Sequence, residues 1–191
     1  MNPTEFFDQK IKLIAQSQEI LDLGGGVKFS KELVAYKNLF ANSHVRVLDS
    51  NPEVKPDILA DAHQIPLADQ SVDAVICKSL LEHVMDPKLV MLEIKRVLKQ
   101  DGLCLIYLPF IYPYHGNKVY KDYFRFTIDG VKYLCEGFSE REIINMRGSL
   151  ETLLYFLPRP IYQIFKMPLR ILDNLLNKKS QTSGFMVFLK K

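Results

Sequence analysis

Three short stretches carry residues that could act on a small ligand. Asp22-Leu23-Gly24-Gly25-Gly26 ends the apolar run that starts at Glu19. Glycines let a backbone approach a ligand closely, and a helix beginning beyond them aims N–H groups at it, although the same residues also serve plain tight turns. Asp49 closes a second apolar run, Val45 to Asp49. A carboxylate there can accept both hydroxyls of a ribose, or can simply be solvated. Asp61-Ala62-His63 follows a third run, where a carboxylate or backbone group could read an adenine amino group beneath apolar cover; by itself Asp61 reads equally as a turn residue.

A fourth stretch differs in character. The segment 110–126 holds Phe110, Tyr112, Tyr114, Tyr120, Tyr123, Phe124 and Phe126, seven of the 21 Phe and Tyr residues in the chain, beside His115, Asp122 and Arg125. A loop of this length is either functional or disordered, and the aromatic content argues against disorder. The plainer alternative is that the rings staple the loop to the core and Asp122 pairs with Arg125. His83, after Glu82, either faces the same site or orients the helix beginning at Asp86; His44 is expected at the surface.

The elements that must position these groups alternate. Residues 4–18 read as a helix with Thr4 as N-cap and Phe7, Ile11 and Ile14 on one side. Strands follow at 19–23, 45–49, 57–60, 72–77 and 103–108, with a helix after Ser30 that turns Leu33, Tyr36 and Phe40 inward. A second helix is capped by Asp86-Pro87, buries Val90, Ile94, Val97 and Leu98, and closes at Asp101-Gly102. Beyond the aromatic loop come a helix near 128–136 ended by Gly137, a strand at 141–146 and a last strand at 184–190. This β-α-β order predicts an open parallel sheet covered on both faces, with ligands at the carboxyl ends of the strands. Ser50 to Pro56 is too short for a parallel crossover, so either the third strand is very short or the link is irregular.

Composition narrows the class. The chain has 191 residues, 48% of them hydrophobic and 25% charged, which suits one soluble domain able to bury ~70% of its surface. Cys77, Cys104 and Cys135 are odd in number and in no CxxC pair, so a reducing cytoplasmic setting is expected and a zinc or other metal site is not. No signal peptide or membrane span is legible. The net charge of +3 is uneven: residues 152–180 hold five basic side chains against Asp173, and the remainder has 20 basic and 21 acidic. Without a basic face elsewhere, no nucleic-acid partner is expected. In that segment Ile161, Ile164, Phe165, Leu169, Leu172, Leu175 and Leu176 fall on one helical side and Lys166, Arg170, Asp173, Asn174 and Asn177 on the other, with a kink expected at Pro168. Such a helix lies on an anionic membrane, roofs a pocket or packs on its own core.

Taken in order, ILDLGGG at 20–26, VRVLDSNP at 45–52, DILADAHQIPLADQSVDAVICKSLLEHVMDP at 57–87 and EIKRVLKQDGLCLIYLPF at 93–110 resemble class I S-adenosylmethionine-dependent methyltransferases. PFIYPYHGNKVYKDYFRFTIDGVKYL at 109–134 is similar to a bacterial subset found beside polysaccharide and glycosyl-transfer functions. The resemblance implies a three-layer, Rossmann-like, doubly wound α/β fold with a seven-stranded sheet whose last strand is antiparallel, in one domain over 1–191 with a basic amphipathic insertion at about 152–180. It implies S-adenosylmethionine as cofactor, with Asp22, Gly24 and Gly26 at its amino-acid part, Asp49 and Ser50 at the ribose, Asp61, Ala62 and His63 around the adenine, and Lys78 and Ser79 in the turn facing it. It further implies an oxygen or nitrogen acceptor on a small molecule, sugar or lipid-linked glycan. His115 is then the expected proton acceptor, with Asp122, Tyr123 and Arg125 shaping the acceptor side; peripheral contact with the inner membrane surface would run through 158–178. Lys28 departs from the family, replacing a glycine. The other readings are a scaffold subunit that binds the cofactor without turnover, and a nicotinamide-dependent reductase. Phe29 in place of the third glycine of G-x-G-x-x-G, and the lack of a Tyr-x-x-x-Lys pair after the fifth strand, disfavour the reductase.

Overall fold

Alternation along each strand decides which layer it supports. In β4 (Val72–Lys78), Val75 and Cys77 face one layer while Ala74 and Ile76 face the other, all essentially excluded from solvent. β5 (Leu98–Pro109) repeats this with Cys104, Ile106 and Leu108 against Leu105 and Tyr107. Strands buried on both faces need cover on both, and the chain supplies it. The computed structural model describes residues 2–154, 156–176 and 181–191.

Seven strands form one sheet in the order β3-β2-β1-β4-β5-β7-β6, with β1 Glu19–Leu23, β2 His44–Asp49, β3 Ile58–Leu59, β6 Glu140–Asn145 and β7 Gly184–Lys190. β3, β2, β1, β4 and β5 pair in parallel; β7 is antiparallel to both β5 and β6. The strand order reverses between β1 and β4, which puts a topological switch point at their carboxyl ends. On one face α1 (Pro3–Ile14) and a 3-10 helix (Lys31–Phe40) bury Phe6, Phe7, Ile11, Ile14, Leu33 and Phe40. On the other, α2 (Pro87–Val97) and α3 (Ile128–Leu134) bury Val90, Ile94, Val97, Val131 and Leu134. All three cysteines are free and buried in that second layer.

Several local expectations are corrected. Asn2, not Thr4, caps α1, because its side chain accepts the Glu5 N–H while Glu5 reaches back in a capping box. The segment after Ser30 winds as a 3-10 helix, and Ser30 makes no side-chain cap. β3 has only two residues, which resolves the short link from β2. α2 ends at Val97 and the next strand begins at once, so Asp101-Gly102 is a bulge inside β5 and not the helix stop; Asp101 has φ 61° there.

Between β6 and β7 stand α4 (Ser149–Leu154) and α5 (Arg159–Leu176), which pack against one another. α5 continues through Pro168 as one helix. Its polar side is not wholly solvated. Asp173 is buried and accepts the N–H groups of Leu150 and Glu151, both at 2.9 Å, and Arg170 pairs with buried Glu151 at 2.9 Å. The Asp173 carboxylate thus satisfies the start of α4, where orphan N–H groups need acceptors, while Arg170 donates to the Glu151 side chain. Ile164, Phe165, Ile171 and Leu175 face solvent instead. Asn177, Lys178 and Lys179 lie outside the described residues, as do the side chains of Asn174 and Leu176.

Candidate active site

The exit of β1 bends back over β2. Gly24 has φ 69° and donates its N–H to Leu48 O at 2.7 Å, and a Cβ on it would meet Leu80 at 2.8 Å. A Cβ on Gly25 would stand 2.4 Å from the carboxylate of buried Asp22. Gly26, at φ 63°, has open space where its Cβ would be, and donates its N–H to Asp49 Oδ2 at 3.0 Å. Asp49 Oδ1 accepts the Asn51 N–H at 2.9 Å. Each oxygen of that carboxylate retains a lone pair for a ligand hydroxyl. Ser50, next to it, is exposed.

The two departures from the glycine pattern have local roles. Phe29 takes φ 54°, the left-handed backbone a glycine would adopt freely, and its ring packs 5.5 Å from Phe40. Lys28 pairs with Asp57 at 2.7 Å, and Asp57 accepts the Val47 N–H at 2.8 Å. Partial burial would raise the Asp57 carboxyl, but the Lys28 ammonium and the Val47 N–H together hold it below its ordinary value.

Around the expected adenine edge, the residues divide. Asp61 Oδ1 receives both the His63 N–H at 2.9 Å and the His63 ring Nδ1 at 2.6 Å, with the backbone bond the larger cause of its lowered pKa. The other ring nitrogen of His63 accepts the Asp86 N–H at 3.1 Å, so the imidazole bridges this turn to the start of α2. Ala62 is buried in the core, whereas Asp61 is exposed beside a groove that also includes Leu59, Ile65 and Arg96. Lys78 lies over the rings of Phe7 (5.4 Å) and Tyr107 (5.2 Å) and pairs with Glu32, which ties β4 to the layer above. Ser79, exposed at φ 52°, makes the turn that follows.

That turn leads into Leu81–His83, a 3-10 turn stitched to the aromatic loop: Tyr123 and Phe124 donate their N–H groups to Glu82 O at 2.7 and 3.3 Å. Arg125 knits the loop itself. It binds Asp122 through two nitrogens at 2.5 and 2.7 Å and also donates to the carbonyls of Tyr112, Pro113 and Phe124. Asp122 is thereby held down to about 2, chiefly by the guanidinium, and its Oδ2 also accepts the His115 N–H at 2.8 Å. The His115 ring sets Nδ1 3.2 Å from Asp122 and Nε2 3.6 Å from Glu82. His83 meets His115 edge-on at 4.8 Å and gives Nδ1 to Lys121 O at 2.5 Å, and burial pushes its pKa down.

His115, Asp122 and Arg125 are thus together. Tyr123 joins them through its backbone only, its ring being about half exposed. His83 does not orient α2; His63 does. The sequence shows Glu82 and Gly25 only as neighbours of His83 and Gly24, with no role of their own. Glu82, 1% exposed at a strand exit, gave no periodic signal, while the close approach of Gly25 to Asp22 is visible only once the turn is built.

Residues 21–106 match the family described as methyltransferase domain. Among solved structures, a SAM-dependent methyltransferase from Archaeoglobus fulgidus superposes with a TM-score of 0.64 at 15% identity, over 98% of this chain and 92% of that one. One from Aquifex aeolicus gives 0.56 at 13% identity, over 95% and 87%. A phosphoethanolamine N-methyltransferase of Haemonchus contortus, solved with S-adenosyl-L-methionine, gives 0.60 at 15% identity over 96% of this chain, which spans 52% of its length. No curated protein sequence matches.

Proposed function

We propose that the chain, whose residues 21–106 match a methyltransferase-domain family, is a class I S-adenosylmethionine-dependent methyltransferase that methylates an oxygen, or a nitrogen, of a sugar or lipid-linked glycan acceptor. The observation that carries the cofactor side is the cradle at the switch point: Gly26 has open space where a Cβ would stand, and Asp49 accepts that residue's N–H. Such a cradle fits S-adenosylmethionine, with Asp22 toward its amino-acid part, Asp49 and Ser50 at the ribose and Asp61 at the adenine edge. Its sulfonium supplies a methyl group already activated for transfer.

The chain's own task is alignment and proton removal. Glu82 fixes the aromatic loop by its carbonyl, and Arg125 fixes Asp122, which positions His115. With Nδ1 directed at acceptors, the His115 Nε2 carries the lone pair that would take the acceptor's proton as the bond to the methyl carbon forms and the sulfonium–methyl bond breaks, leaving a neutral thioether, a role worth ~10²–10⁴ in rate. Arg125 is a positioning residue, its donors being engaged inside the loop. The outward apolar side of α5, with Arg159 and Lys166 nearby, suits a lipid surface from which such an acceptor would be drawn. Among the described residues no helix is long and apolar enough to cross a membrane.

The test is labelled methyl uptake from S-adenosylmethionine into a panel of activated sugars and glycolipids. The expected result is uptake by at least one of them, reduced ~10²–10⁴-fold in His115→Ala. Undiminished uptake in that variant excludes the histidine as base; uptake only into nitrogenous acceptors without sugar overturns the acceptor class.

A further inference from the structure

The side chains of Glu82 and His83, consecutive in the chain, converge with that of His115 from the aromatic loop, each offering one ligand atom, and these atoms lie within 4.8 Å of one another. Glu82 Oε1 stands 3.9 Å from His83 Nε2 and 3.6 Å from His115 Nε2. The partners on the far sides of the rings decide what those nitrogens are. His83 Nδ1 lies against the Lys121 carbonyl at 2.5 Å, and His115 Nδ1 lies 3.2 Å from both the Pro113 carbonyl and Asp122. Carbonyls and carboxylates only accept, so both rings carry their proton on Nδ1 and turn the lone pair of Nε2 toward a carboxylate oxygen. The carboxylate oxygen and the two ring nitrogens stand close enough together for one cation to engage all three.

We infer that Glu82, His83 and His115 form a binding site for one first-row divalent transition metal of the zinc type. Two imidazoles and one carboxylate make an established donor set for such ions, and a tetrahedral zinc with bonds of ~2.0–2.1 Å needs its donors ~3.3 Å apart, within reach of small side-chain rotations here. The outer groups match as well. Asp122 on the Nδ1 of His115 and a backbone carbonyl on the Nδ1 of His83 are the contacts that orient metal-binding histidines. Among the described residues, Asp122 and Arg125, the charged groups acting on His83, are paired with one another. Burial of Glu82 and His83 keeps competing water from most of the site.

The inference uses the same histidine as the methyl-transfer reading but does not depend on turnover. A metal on Nε2 of His115 excludes a proton from that atom, so the loaded protein is held out of base catalysis and the ion acts as a reversible brake. Cysteine spacing carries no sign of such a site, because its histidines meet only through the folded loop.

Full-length protein stripped with chelator and dialysed should be titrated with Co²⁺ and followed by visible absorption, then with Zn²⁺ by calorimetry. One ion per chain, with Co²⁺ bands of an imidazole-bound ion, is expected. Asp122→Asn should lower affinity ~10–100-fold by misorienting His115. His83→Ala/His115→Ala should abolish the bands, and His44→Ala, at the exposed start of β2, should leave them unchanged. Bands absent from the wild type, or persisting in the double variant, overturn the site. Should the double variant fail to fold, the wild-type Co²⁺ spectrum and Asp122→Asn decide: a spectrum of the fully hydrated ion, or unaltered affinity in Asp122→Asn, overturns it. S-adenosylhomocysteine titrated in parallel separates the two readings, since its binding is expected with and without metal, and its failure would strike the methyl-transfer reading alone.

Discussion

Gly25 lies so close to Asp22 that a side chain on it would occupy the position of the Asp22 carboxylate, with Cβ only 2.4 Å from Cγ. The two residues form one unit: the acid at the end of β1 is held in place by the absence of a side chain three residues on. Gly25→Ala should therefore displace the carboxylate and weaken S-adenosylhomocysteine roughly tenfold, the scale of one charged hydrogen bond. Calorimetry on the folded variant checks this, and an unchanged Kd would remove Asp22 from the ligand.

Arg125 has a different expected signature. Its guanidinium holds an Asp122 whose side chain is fully buried, so Arg125→Ala leaves that carboxylate uncompensated, at about 3–5 kcal/mol. Urea unfolding should show the loss, while S-adenosylhomocysteine affinity stays near that of the wild type. Arg125→Lys should recover little of it, since an ammonium cannot make the paired bonds.

Acid should weaken the tie between the glycine turn and β3. The Asp57 carboxyl is depressed in the folded protein, since Lys28 and the Val47 N–H outweigh burial. Its contribution is complete above the unfolded carboxyl value of ~3.9 and disappears as pH falls through the lower folded value. Both partners are partly exposed, so the effect is small. Thermal melts of wild type and Asp57→Asn should differ at neutral pH and converge on acidification; a constant gap would contradict the assignment.

Much of the fold was legible because buried strands and capped helices announce themselves locally: Val72 to Cys77 by its unbroken apolar run, Asp86-Pro87 by its capping chemistry. β3 was ambiguous because two residues carry no period. α5 showed its amphipathicity but not its orientation, since only the folded chain reveals that Asp173 and Arg170 serve α4. The same limit applies to the site. Asp49 and the glycines lie where strand exits must lie, whereas Glu82 and His83 meet His115 through a loop whose course is set by Arg125 and five acceptors: the two Asp122 oxygens and the Tyr112, Pro113 and Phe124 carbonyls.

The exposed face of α5 makes its own prediction. Ile164 and Ile171 are 67% and 57% exposed, so Ile164→Asp/Ile171→Asp should fold normally yet lose binding to vesicles containing anionic lipid. Flotation assays report this directly, and binding by the wild type should fade with salt. Equal flotation of both proteins would rule out the lipid surface.

Asp49 tests the central claim most directly, through calorimetric titration of wild type and Asp49→Ala with S-adenosylhomocysteine and, separately, NADH. The account predicts that S-adenosylhomocysteine binds, NADH does not, and the substitution weakens binding by about 1.5–3 kcal/mol as a charged acceptor of the ribose hydroxyls is lost. Binding of NADH alone, or identical S-adenosylhomocysteine affinity in the folded variant, would contradict it.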